Sequence, residues 1–206
     1  MKVLIACEKY QKICIAFRNK GHEAYSCDIL ECSGGHPEWH IKDNVLNHLE
    51  DRWDMMIAHP DCTRLTNAGV RWLHIPPPGK TFNNMWKELY EAVGFYIALR
   101  DAPIERKAIE NPIMHKYARA MIGIIKRQIV QPWWFGDPFF KATGLELYGL
   151  PELIPTNKLI PPLKGTDEHK KWSMIHLMSP GPKRSELRSK TFPGIAEAMA
   201  TQWIET

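Results

Sequence analysis

At 206 residues the chain is long enough to bury a full core, and it is read as one domain. Charged residues at 24% and hydrophobic residues at 44% sit at the soluble globular average. A net charge of +4 permits a polyanionic partner without demanding one, and no apolar run reaches membrane-spanning length.

The five cysteines, at positions 7, 14, 27, 32 and 62, are odd in number and follow no disulfide framework. The chain enters a strand-like run at once, without the apolar region of a signal peptide, and a reducing, cytoplasmic setting is the natural reading.

Val3 to Ala6 has the continuous apolar character of a strand buried on both faces. Ile13, Ala16 and Phe17 then fall at helical spacing, and Gly21 stands where a helix stops. Glu23 to Cys27 reads as a second strand with Asp28 at its tip. A strand, turn, helix and strand with an acid about 20 positions after the first strand is the plan of a Rossmann-like nucleotide-binding unit. The acid in such a unit accepts hydrogen bonds from ribose hydroxyls. Residues 7–12 hold no glycine, so the turn is not the phosphate cradle that a dinucleotide needs. A cofactor without phosphates, such as S-adenosylmethionine, makes lesser demands on it.

Residues 29–44 read as a loop. The series Cys27, Cys32, His36 and His40 contains only metal-ligating residue types, yet its spacing matches no common zinc pattern, and a polar loop is favoured. Met55 to Ala58 is a second buried strand that breaks at His59-Pro60-Asp61 and delivers Cys62 at its carboxyl end. In open α/β sheets ligands bind at that edge. Residues 64–82 form a long loop interrupted by Pro76-Pro77-Pro78, of the kind used as a lid or binding loop. Asn83 is placed to cap a helix whose Met85, Leu89, Val93 and Ile97 make an apolar stripe. Arg106 to Ile109 repeats the strand-then-loop pattern and ends in Glu110-Asn111-Pro112. A helix over Met114–Lys126, strands at Gln128–Gln131 and Leu145–Leu147, and an irregular surface excursion over 151–190 follow. The cluster Trp133-Trp134-Phe135 serves either as aromatic core or as a platform for a base. Pro193 opens a closing helix that buries Ile195, Met199 and Trp203.

Taken in this order, the landmarks resemble those of the cytosine-5 DNA methyltransferase superfamily, and most closely its short phage and prophage members without a target-recognition domain. The resemblance runs nearly the whole chain. It rests on Val3–Glu8, Asp28, Asp43-Asn44-Val45, His59-Pro60-Asp61-Cys62-Thr63, Glu110-Asn111-Pro112, Phe135-Gly136-Asp137-Pro138 with Lys141, and Thr191-Phe192-Pro193-Gly194-Ile195-Ala196-Glu197-Ala198. It implies an α/β, Rossmann-like S-adenosylmethionine-dependent methyltransferase fold: a mostly parallel sheet with helices on both faces and long loops at 64–82 and 151–190. It implies S-adenosylmethionine as cofactor, held by Ala6, Cys7, Glu8, Asp28, Asp43, Asn44 and Pro60. Cys62 would add as a thiolate to carbon 6 of cytosine, and Glu110 would protonate or hydrogen-bond ring nitrogen 3. Asn111, Lys141, Thr143 and Arg188 would bind the substrate, either DNA with the base flipped out or a cytosine nucleotide. No metal and no membrane enter this reading, and the setting is the cytoplasm of an infected or lysogenic bacterium.

Four departures shape the expectation. Glu8-Lys9-Tyr10-Gln11 replaces a glycine-rich turn and is expected to narrow the methionine pocket. The family's Gly-Asp pair appears as Asp43-Asn44. Asp61 stands where proline precedes the nucleophile, and a carboxylate there favours the neutral thiol. Residues 151–190 suffice for a clamp but not for a module reading several base pairs. The alternative is therefore a protein that keeps the fold without the chemistry and binds a nucleotide or a host defence protein.

Overall fold

The computed structural model describes residues 1–110, 113–123, 126–179 and 181–204. Its sheet has strands β1 (Lys2–Ala6), β2 (Glu23–Asp28), β3 (His40–Lys42), β4 (Met55–Ala58), β5 (Lys107–Glu110), β6 (Gln128–Val130) and β7 (Thr143–Tyr148). Their order is β3-β2-β1-β4-β5-β7-β6. Neighbours from β3 through β5 pair in parallel, whereas β7 runs antiparallel to both β5 and β6. This is the doubly wound Rossmann order with one antiparallel strand inserted before its last member.

The helices are α1 (Lys12–Asn19), α2 (Asn67–Val70), α3 (Phe82–Arg100), α4 (Lys116–Ile122), α5 (Asp167–Trp172), α6 (Met174–Leu177), α7 (Pro182–Ser189) and α8 (Pro193–Gln202). Alternate strand residues point to opposite faces, so the sheet feeds two cores. Leu4, Met56 and Ile109 pack with Met85, Leu89 and Tyr96 of α3. Val3, Ile57 and Ala108 pack with Phe17 of α1, Met199 of α8 and Trp203 just past its end. Such two-sided cover is why the central strands read as unbroken apolar runs.

Several expectations change. The loop at 29–44 contains β3, whose three residues are too few to show alternation. The cap of α3 is Thr81 rather than Asn83: Thr81 Oγ1 accepts from the Asn84 amide at 3.2 Å, and Asn84 Oδ1 accepts from the Thr81 amide at 2.9 Å. This reciprocal pair satisfies two amides at once, and a lone Asn83 one residue inside the helix does neither. The predicted helix at 114–126 is shorter, stopping where Gly123 takes a φ of 98°. The stretch 151–190 is irregular only in its first half. Thr166 then caps α5, and α6 and α7 follow, each too short for a periodic signal.

Candidate active site

The order of the sheet reverses at β1, so α1 and α3 leave opposite faces and a crevice opens beyond the carboxyl ends of β1 and β4. The turn after β1 reaches a glycine-like path without glycine: Cys7 and Gln11 have φ of 60° and 56°. Left-handed backbone at such residues needs compensation. Here the Glu8 carboxylate accepts from the amides of Ile13 at 2.8 Å and Cys14 at 3.2 Å. The Gln11 amide donates to Ser26 Oγ and to the His36 carbonyl. Both bulky side chains thus turn inward and are buried. Of residues 7–12, Cys7 alone lines the crevice cavity, while Lys9 and Tyr10 face a second cleft. The expected narrowing by this turn does not arise.

The crevice cavity measures about 530 Å³, within the range of small-molecule sites. Asp28, Asp43, Asn44 and Pro60 line it, with Ile29, Val45 and Phe95 as apolar wall. Asp28 Oδ1 accepts from the Leu30 amide at 2.9 Å. The Asp43 carboxylate is engaged by Asn47, the Asn44 amide and His48, which hold it below the usual carboxylate range. Asn44 Oδ1 caps the short turn at Val45–His48 through the Leu46 amide. Ala6 and Glu8, both expected to touch a cofactor, do not line the cavity. Ala6 is buried within the sheet, where its carbonyl accepts from the His59 amide, and Glu8 caps α1.

The second cleft, of about 1240 Å³, is lined by Tyr10, Trp72, Lys141, Thr143 and Lys190, among others. Asp61, Cys62, Glu110, Arg188 and Ser189 belong to both spaces and so stand at their junction. The register explains the meeting of the two strand tips: β4 and β5 pair Ala58 with Ile109, so the residues that follow, His59 and Glu110, are neighbours. His59 Nδ1 lies 2.7 Å from Glu110 Oε2. Its Nε2 is buried without a hydrogen-bond partner among the described residues.

Burial pushes the Glu110 carboxyl up, but the charge of Lys141 and the hydrogen bond and charge of His59 outweigh it and hold the group down at about 2. Burial, then Asp61 and Glu110, push the Cys62 thiol up, and Arg188 opposes them. A depressed carboxyl contributes stability above its ordinary value, lost as pH falls from about 4.5 toward 2. His59→Phe is therefore expected to raise the Glu110 titration by about one pH unit and to move acid unfolding to higher pH. Carboxyl-carbon NMR titration of both proteins checks this, and an unmoved Glu110 resonance counts against the pairing.

Lys141 Nζ donates to the Lys190 carbonyl at 3.2 Å, and Thr143 is almost wholly buried at the cleft floor. Arg188 projects from α7, exposed. Asn111 lies outside the described residues. The segment at 135–138 packs against the closing helix. Asp137 Oδ2 accepts from the Gly194 amide at 2.8 Å, and a Cβ on Gly194 would stand 2.1 Å from the Phe135 carbonyl oxygen. It docks α8, and Phe135 is core. The sequence reading gave His59 no role, although the aligned ends of two apolar runs carried the signal. Among the described residues no group of three or more His, Cys, Asp or Glu is placed to hold a metal. Cys27 is buried, and His36 stacks on Trp39 at 3.9 Å. No described helix is long and apolar enough to cross a membrane.

No family model and no curated protein matches the chain. Solved structures do, among them a crystal structure of a mutant of Spodoptera frugiperda DNMT2, with 13% identity and a TM-score of 0.43. The match covers 78% of this chain and 57% of that one, so this chain spans less than two thirds of that protein's length. The fold is described by the strand order itself, without reference to that structure. The chain is an α/β protein with a Rossmann-like, mostly parallel sheet, bearing a thiol and a carboxylate where its two cavities meet.

Proposed function

We propose that this protein transfers a methyl group to carbon 5 of cytosine, in DNA or in a cytosine nucleotide, with S-adenosylmethionine as donor. The observation that carries the reading is that Cys62 and Glu110 line both the crevice cavity and the substrate-sized cleft beside it. The crevice fits the cofactor chemically. Asp28 Oδ2 has no hydrogen-bond partner among the described residues and suits ribose hydroxyls, while Ile29, Val45 and Phe95 suit the flat faces of an adenine. When bound, S-adenosylmethionine supplies an electrophilic methyl group. Cys62, once deprotonated, adds to carbon 6 and makes carbon 5 nucleophilic. Glu110 holds the nitrogen edge of the ring, and Lys141 and Arg188 offer charge to phosphate. Titration calorimetry with S-adenosylhomocysteine tests the reading. We expect binding that Asp28→Ala weakens about tenfold, as loss of a hydrogen bond to a charged group predicts. Absence of binding to the wild type rejects it.

One observation favours a second reading. Burial, then the charges of Asp61 and Glu110, raise the Cys62 thiol above its ordinary value, as suits a protein that retains the fold and binds a nucleotide or a host defence protein without chemistry. Cofactor binding without any covalent adduct, together with unchanged biology in Cys62→Ser, would select it.

A further inference from the structure

We propose that Asp61 is the base that removes the hydrogen from carbon 5 of the pyrimidine, a role that rests on the methyl-transfer reading above. Replacing that hydrogen by methyl requires it to leave as a proton. With the Cys62 sulfur on carbon 6 and the methyl on carbon 5, both carbons are saturated. The carbon 5 proton passes to the base, its bonding pair re-forms the double bond between carbons 5 and 6, and the carbon–sulfur bond breaks to return the thiolate. Because carbon 5 is bonded directly to the carbon that carries sulfur, the base has to stand beside Cys62.

Asp61 is the adjacent residue and shares both cavities with Cys62 and Glu110. Its carboxylate is fixed by one oxygen: Oδ1 accepts from the Thr63 amide at 2.9 Å and from Thr63 Oγ1 at 2.6 Å. Oδ2 has no hydrogen-bond partner among the described residues. Its negative charge is felt by Cys62 and also by Cys7 on the crevice side, which agrees with a position at the junction. Glu110, the other carboxylate there, already has Oε2 engaged by His59. Asp61 thus opposes thiolate formation and gives the site its means of release.

The test uses no cofactor. An oligonucleotide with cytosine tritiated at carbon 5 is incubated with the wild type, Asp61→Asn and Asp61→Glu. Reversible addition of Cys62 lets carbon 5 take a proton from water, and removal of the original label by the base then releases tritium. Asp61→Asn retains an oxygen for both Thr63 bonds, and an unchanged melting temperature confirms its fold. Tritium release is expected to fall about 10²-fold or more in Asp61→Asn and to recover in part in Asp61→Glu. Alkylation of Cys62 by iodoacetamide is expected to quicken in Asp61→Asn, because a like charge has been removed. Release at the wild-type rate from Asp61→Asn overturns the proposal alone. No release from any of the three overturns the methyl-transfer reading and the proposal with it.

Discussion

Cys62→Ala is expected to abolish the covalent complex between this protein and an oligonucleotide containing 5-fluorocytosine. With fluorine at carbon 5 no proton can leave, so the sulfur–carbon bond of a methylated adduct stays closed and survives a denaturing gel. Removing a nucleophile lowers turnover by about 10⁴-fold or more, since nothing else in such a site performs its step. Binding of S-adenosylhomocysteine should change by no more than a few fold, because Asp28 and the apolar wall of the crevice are untouched. In the wild type the adduct should form faster as pH rises, because burial and two carboxylates hold the Cys62 thiol above its ordinary value. An adduct that persists in Cys62→Ala would move the chemistry to another cysteine. Cys7 is the next to examine, since it lines the same crevice, although burial pushes its thiol up to about 12.

Gly69→Ala should combine a loss of stability with a loss of activity. Gly69 is buried on α2 beneath the loop that carries Cys62. A Cβ there would stand 2.1 Å from the Thr63 carbonyl oxygen and 3.2 Å from its carbon. Those are backbone atoms, so the loop itself has to shift. Overpacking of this kind costs about 1–3 kcal/mol, and misplacing a reacting group by about 1 Å costs about 10²-fold in rate. Gly94→Ala, in the middle of α3, is the control. Nothing lies within 4 Å of its Cβ, and Ala in a helix interior is worth about 0.5–1 kcal/mol over Gly. Opposite changes in melting temperature for the two variants are expected, and equal changes would remove Gly69 from its place under the loop.

Much of the site was legible because its parts lie at strand ends. Two apolar runs closing in His59-Pro60-Asp61-Cys62 and in Glu110 sufficed to place a sulfur and a carboxylate on one edge of the sheet. Glu8 was misread because a carboxylate after a first strand looks the same whether it faces a cofactor or caps the next helix. The amides of Ile13 and Cys14 decide between these, and they become accessible to it only when the turn takes left-handed φ values. His59 went unassigned because its partner is remote in sequence and adjacent only across the β4–β5 pairing.

Local pattern by itself determined the buried central strands, the faces of α1, α3 and α8, and the delivery of Cys62 and Glu110 to strand tips. Burial on both faces of a sheet or along one side of a helix writes itself directly into residue spacing. Tertiary structure alone decided the direction of β7, the existence of β3, the docking of α8 by Asp137 and the engagement of Glu110 by His59. Each depends on a hydrogen bond between groups far apart along the chain, and no periodicity encodes such a bond until the strands have found their register.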